Sequence, residues 1–293
     1  MATLRELKGR IGSVRSSEKI TGAMKMISSA KMHKAEQALR QLQPFRGQIE
    51  TIIANLAASD AAFSSPLMES RPVEKLTLVV WGSDDGLCGA YNVNIFKQLL
   101  QRLTLYRGLY GEGLEITVIP VGSKMAKAVG KLNLEGVKTA DAEGVDSKST
   151  DKAVTAFTNR LRDMFLNGET DRVDTLYMGF HSVSRQRVEA QQLLPVTQEV
   201  FAADRGKATD RPYIFEPSAE VIFRRVLPMY LMAVMQDIFT ENRASEQAAR
   251  VMAMQSANDN AKKLLDQLQL EYNKLRQAAI TTELLDILGG QVK

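Results

Sequence analysis

From Met229 to Leu288 the chain runs through sixty residues without a glycine or a proline. These two residues cost most inside a helix, so their long absence marks unbroken helical sequence. Apolar or small residues recur in this run at Tyr230, Ala233, Ala244, Ala248, Val251, Leu265, Leu268, Tyr272, Leu275 and Ala279, spacings that keep one stripe on a helix. At a rise of 1.5 Å per residue the run is a rod of about 90 Å. Helices of globular proteins average about 10–14 residues, so this one extends beyond any compact domain. Pro217, followed by Ser218, Ala219 and Glu220, predicts its start, Pro228 predicts an early kink, and Gly289-Gly290 predicts its stop.

A rod of that length needs a mate. The N-terminal stretch from about Thr3 to Leu56 supplies one. Leu4, Leu7, Ile11 and Val14 keep a 3/4 spacing, and Ala38, Leu42, Phe45, Ile49, Ile52 and Leu56 resume it. Between them Ile20, Met24 and Ile27 continue a weaker stripe. Gly9, Gly12, Gly22 and Gly47 each cost about 1 kcal/mol in a helix relative to alanine, and predict close approach of another helix or local bending. Pro44 predicts a loosened turn. Residues 1–50 carry ten Lys or Arg against four Glu, an excess of six, larger than the +4 of the whole chain. Such a bias fits an acidic partner, protein or nucleic acid.

The middle alternates. Residues 75–82, 115–122, 173–183 and 189–197 read as strands, and 94–106, 123–132 and 151–168 as helices. Strand–helix alternation predicts βαβ units on a mainly parallel sheet. The expected fold is therefore α/β plus long helices. An antiparallel coiled coil of the N-terminal (1–57) and C-terminal (217–290) helices has a Rossmann-like α/β domain (74–216) inserted between them. The C-terminal helix outlasts its mate, and its tip, "QAAITTELLDIL", carries Ala278, Ala279, Ile280, Leu284, Leu285, Ile287 and Leu288. An apolar tip of that kind implies a socket on another molecule.

Chemistry is hard to place on this chain. "VVWGSDDGLCGAYN" (79–92) ends a strand in three glycines, yet Gly82, Gly86 and Gly89 miss the dinucleotide fingerprint. A P-loop needs Lys then Ser or Thr after its last glycine, and Ala90 and Tyr91 stand there instead. Asp84 and Asp85 repel phosphate and suit capping of the helix region that follows. Cys88, the single cysteine, excludes an internal disulfide and has no adjacent His or Lys to form a thiolate. With His33 and His181 the only histidines, a Cys/His zinc cluster is out of reach. His33 reads as a surface residue in a basic helix and His181 as a strand-end residue. Asp141 and Glu143 read as a solvated loop pair. Neither a catalytic constellation nor a cofactor site is expected. No run nears 18 apolar residues, so no membrane span is expected, and "MATLRELKGRIGS" lacks the apolar core of a secretory signal.

Three segments carry a resemblance. "RIGSVRSSEKITGAMKMISSAKMHKA" (10–35) resembles the first helix of the gamma subunits of F-type ATP synthases. "SDDGLCGAYN" (83–92) is similar to that family's central signature, usually SDRGLCGGYN, with Asp85 where arginine is usual and Ala90 where glycine is usual. "ENRASEQAARVMAMQSANDNAKKLLDQLQLEYNKLRQAAITTELLDILGG" (241–290) resembles its C-terminal signature. The resemblance implies a non-catalytic rotor shaft, bacterial in type, that turns inside a ring of three alpha and three beta subunits. Its foot meets the epsilon subunit and the membrane c-ring, and rotation couples proton flow to ATP synthesis or hydrolysis. By the same resemblance Met24, Lys25, Arg250, Arg276, Gln277, Thr281 and Glu283 face the ring, and Tyr213, Glu216, His33 and Glu36 belong to the foot. The implied location is the cytoplasmic face of the bacterial plasma membrane, as a peripheral part of the synthase. Two other classes compete: a nucleic-acid binder using the basic first helix, and a nucleotide enzyme built on the middle domain. The first lacks basic residues interleaved with aromatics, and the second lacks a phosphate loop.

Overall fold

The computed structural model describes residues 3–58, 65–132, 134–197 and 215–290. Along the chain, α1 (Leu4–Ala58) is followed by a 3-10 turn (Pro66–Met68), β1 (Lys75–Trp81), α2 (Tyr91–Tyr110), β2 (Glu115–Val121) and α3 (Ser123–Val129). Then come β3 (Val137–Thr139), α4 (Asp151–Leu166), β4 (Arg172–Ser182), β5 (Arg185–Leu194) and α5 (Ala219–Gly290). Pro44 and Pro228 both lie inside their helices, which continue through them.

Two compact units result, and both long helices contribute to each. One unit takes α1 up to Ser29 and α5 from Arg250 onward; the other is Ala30–Ala249.

The second unit holds the sheet, in the order β3-β2-β1-β4-β5. β1 pairs in parallel with β2 and β4, and β2 with β3. β5 alone runs antiparallel, to β4. That is the Rossmann-like order with its last strand reversed by a short turn. Alternate side chains of β1 fill opposite faces, as a pleated strand requires. Leu76, Leu78 and Val80 meet Ile95, Leu99 and Leu103 of α2 and Met125 of α3. Val79 and Trp81 belong to the other core, with Phe157, Leu161 and Phe165 of α4, Ile49, Ile53 and Leu56 of α1, and Phe223, Leu227, Leu231 and Phe239 of α5. The long helices therefore complete the second layer of this domain. Trp81 anchors the layer: its ring lies edge-on to Phe157 at 6.3 Å and tilted on Phe239 at 5.8 Å.

The buried stripe of α1 in this unit is Met32, Leu39, Ile49, Ile53 and Leu56. Of the predicted stripe, Ile49 and Leu56 are buried and Ala38 and Leu42 half-buried, whereas Phe45 and Ile52 are 47% and 41% exposed. Ile53, Ala54 and Asn55 are covered in succession, so a strict heptad does not describe that face.

Candidate partner-contact surfaces

The glycine-bearing turn after β1 is locked by its own side chains. Ser83 N–H donates to Asn92 Oδ1 (3.1 Å), and Asn92 Nδ2 donates back to Ser83 Oγ (2.7 Å). Asp84 Oδ1 accepts from the Ser123 amide (2.7 Å), and Asp84 Oδ2 accepts from the Ser147 amide (2.9 Å) and hydroxyl (2.7 Å). The capping predicted for the helix next in sequence is therefore corrected. Ala90 precedes α2 and offers no side-chain cap, and Asp84 serves α3, one strand further on, because β2 brings that helix start beside β1. Burial alone raises the Asp84 carboxyl, but the bonds from Ser147 and Ser123 outweigh it and hold the group below the usual range. Asp85 points outward and pairs with Lys148 at 2.9 Å, both more than half exposed. Cys88 is buried. Gly82 and Gly122 are demanded by close approach. A Cβ on Gly82 would lie 2.5 Å from Met125 Cβ, and one on Gly122, at φ +97°, 2.9 Å from the Ser83 backbone. A carboxylate fills the α3 start that a phosphate would need. Among the described residues no cluster of His, Cys, Asp or Glu could hold a metal ion, and no helix is long and apolar enough to cross a membrane.

In the other unit, α1 and α5 pair through polar groups. Lys25 Nζ donates to Gln255 Oε1 (2.5 Å), and Gln255 Nε2 donates to Asp259 Oδ2 (2.7 Å). Asn258 Nδ2 donates to the Glu18 carbonyl (2.7 Å) and to Thr21 Oγ1 (3.3 Å). Rising numbers on one helix meet falling numbers on the other, so the pairing is antiparallel. Leu7, Leu265 and Leu268 are buried. Ile20 and Ile27, predicted in the stripe, are 60% and 57% exposed. The inward face carries Glu18, Thr21, Gly22, Lys25 and Ser28 instead, because polar bonds to α5 decide the rotation of α1 here. Of the four glycines of α1 only Gly22 has a neighbour where its side chain would stand, Asn258 Nδ2 at 3.4 Å; Gly9, Gly12 and Gly47 have open space, so close approach does not explain them.

The resemblance-derived residues fall as follows. Met24 and Lys25 are half-buried, and Lys25 is committed to Gln255. Arg250 is buried, at 6% exposure. Arg276, Gln277, Thr281 and Glu283 are all exposed, within a stretch from Arg276 to Leu288 that is exposed at every residue. That stretch includes Ile280, Leu284, Leu285, Ile287 and Leu288, each 48% exposed or more. His33 is exposed and pairs with Glu36 at 3.6 Å, which also binds Arg40 at 2.8 Å. Glu216 is exposed. Tyr213 lies outside the described residues.

Sequence reasoning missed Asn242. This buried α5 residue receives the Tyr91 hydroxyl of α2 (2.6 Å) and the Met178 amide of β4 (3.3 Å), and donates to the Gly82 carbonyl (3.3 Å). It ties one long helix to three parts of the sheet domain. The available signal was a lone amide ahead of the buried small residues Ala244, Ser245 and Ala248.

Fold and surfaces define a class first: a protein of two long helices, antiparallel where they pair, that carries a Rossmann-like domain and an unpaired apolar helix end. Sequence comparison then narrows the class. A family model described as ATP synthase matches residues 3–292. The ATP synthase gamma chain of Phocaeicola vulgatus is 40% identical over 295 residues, with 100% of both chains covered. The gamma chain of Cupriavidus pinatubonensis is 35% identical over 292 residues, covering 99% of each. The fold is similar to a chain of the Euglena gracilis mitochondrial ATP synthase OSCP/F1/c-ring structure, with TM-score 0.65 at 21% identity, covering 98% of this chain and 93% of that one. It is also similar to one from the Tetrahymena thermophila central stalk/c-ring structure, with TM-score 0.56 at 22% identity, covering 81% and 99%. The chain belongs to the ATP synthase gamma chain family. Gamma chains are non-catalytic subunits of that complex.

Proposed function

We propose that this chain is the central rotor stalk of a bacterial proton-translocating ATP synthase, peripheral to the cytoplasmic face of the plasma membrane. The α1–α5 pair turns inside a ring of three alpha and three beta subunits, and the sheet domain with the foot engages epsilon and the c-ring. The division of labour follows residues 1–57 and 217–290 as shaft and 74–216 as docking domain. Met24, Lys25, Arg250, Arg276, Gln277, Thr281 and Glu283 serve the ring, and Tyr213, Glu216, His33 and Glu36 serve the foot. Physically this is a camshaft. An asymmetric surface touches three equivalent partners differently, and a partner's equilibrium shifts only by the difference in contact energy between its states.

The observation that carries the reading is the C-terminal stretch of α5, exposed at every residue from Arg276 to Leu288 and bearing five large apolar side chains. Such a helix end needs a lining. Lys25 donates to Gln255 of α5, and the remaining N–H groups of its ammonium are left for a partner. Mixing the chain with its alpha and beta subunits tests the reading. A three-plus-three ring with coupled ATPase activity is expected, and a chain that stays monomeric and restores none overturns it. Met24→Lys places a charge at the bearing. It is expected to lower proton pumping per ATP hydrolysed while leaving the melting temperature of the isolated chain unchanged; unaltered pumping removes Met24 from the bearing.

A further inference from the structure

In the sheet-bearing unit, one junction of α1 and α5 with the β4–β5 hairpin is crowded with carboxylates. α1 contributes Arg46 and Glu50, α5 contributes Asp237 and Glu241, β4 contributes Tyr177 and His181, and β5 contributes Glu189. Arg46 is the one guanidinium among them; it binds Asp237 Oδ2 at 2.9 Å and Glu50 at 2.7 Å. Tyr177 donates to Glu189 Oε2 at 3.1 Å, and His181 Nε2 lies 3.1 Å from Glu189 Oε1. The Phe180 amide donates to Glu241. Gly179 admits Glu189, since a Cβ there would stand 2.5 Å from its Oε1. Asp237 is 5% exposed, and its Oδ1 is buried without a hydrogen-bond donor. A buried acceptor left without a donor is costly.

Four carboxylates against one guanidinium leave this junction short of positive charge. We propose that it is a proton-binding clamp: a proton held between Glu241 and Asp237, opposite Glu189 of β5, secures α5 to the β4–β5 hairpin, and losing it loosens that junction. Glu241 stands one helical turn beyond Asp237, so a protonated Glu241 becomes a donor on the face that carries the orphaned oxygen. The electrostatics agree. Burial, then the charges of Glu189 and Asp237, push the Glu241 carboxyl up to about 7, against the pull of Arg46 and the Phe180 amide. Burial also raises Asp237, with Glu50 adding to it and Arg46 opposing. Tyr177 is raised by burial and by the charges of Glu241 and Glu189. A carboxyl raised from 4.5 stabilises the folded form while protonated. That contribution declines as pH climbs from the unfolded value and is exhausted above the folded one. The clamp is read from this chain alone and does not depend on the stalk assignment.

Hydrogen exchange at the Phe180 amide of the full chain tests it. After correction for the intrinsic rate, protection is expected to fall about tenfold between about pH 6 and about pH 8.5. Glu241→Gln, permanently neutral, is expected to flatten the profile. Glu189→Gln removes a repelling charge, moves the midpoint to higher proton dissociation constants, and so shrinks the fall. A flat wild-type profile, or a fall as large in Glu241→Gln as in wild type, overturns the clamp. Where Glu241→Gln fails to fold, Glu189→Gln decides: a fall equal to wild type overturns the proposal, and a smaller one supports it.

Discussion

Asp84 and Asp85 are adjacent and chemically identical, yet the fold uses them in opposite ways. Asp84 receives the Ser123 and Ser147 donors, whereas Asp85 faces solvent against Lys148. Removing Asp84 orphans two amides and a hydroxyl, so Asp84→Ala is expected to cost about 1–3 kcal/mol, read as a lower denaturation midpoint. Asp85→Ala breaks an exposed pair and is expected to cost less than about 1 kcal/mol. Equal losses would show that the two carboxylates share the load. Acid distinguishes them as well. Asp84 is depressed in the folded state, so its contribution is full above the ordinary carboxylate value of 3.8 and is lost as pH falls through the lower folded one. Acid unfolding of Asp84→Ala is therefore expected to follow a shallower pH dependence below about pH 4 than wild type. None of this was legible in the sequence, where the pair read as caps for α2. Only the β1–β2 pairing brings Ser123 to Asp84.

At the scale of elements, the two long helices were the most legible part of the chain. Sixty residues free of glycine and proline, and a first segment with apolar 3/4 spacing, specify helix from local chemistry. The strands of the middle domain were legible for the same reason, since β-branched runs bounded by turn residues are local signals. Rotation was not. Ile20 and Ile27 are apolar yet exposed, because the opposite face of α1 bonds to Gln255 and Asn258. The three residues of β3 also escaped notice, being too short to leave a period. The helical glycines give a test. Gly9→Ala and Gly12→Ala meet open space and are expected to raise the stability of the isolated chain by about 0.5–1 kcal/mol each. Gly22→Ala is expected to gain less, its methyl meeting Asn258 at 3.4 Å. Equal gains at all three, measured by thermal denaturation, would remove any packing role for Gly22.

The whole molecule separates what stabilises the chain from what serves partners. Side chains beyond Leu275 are exposed up to Leu288, so they bury little of the area that stabilises a fold. Deleting residues 276–293 is therefore expected to leave the melting temperature of the isolated chain nearly unchanged while weakening its association with alpha and beta subunits, as measured by co-purification. A large fall in melting temperature would mean that the tip packs on its own chain. Phe239 gives the contrast. It is 1% exposed and lies against Trp81 at 5.8 Å. Phe239→Ala is expected to cost about 3–5 kcal/mol.

The sequence by itself determined the helices, the alternating middle domain and, through its three signatures, the family, because each is written in local spacing or in contiguous residues. Tertiary structure alone decided which aspartate caps which helix, which face of α1 turns inward, and the gathering of Arg46, Asp237, Glu241 and Glu189 at one junction. Those partners lie up to 195 residues apart, from Arg46 to Glu241. No local period encodes such a meeting. It is settled by burial of Trp81, Phe157 and Phe239 around the sheet, which draws the charged groups together as a consequence of packing the apolar ones.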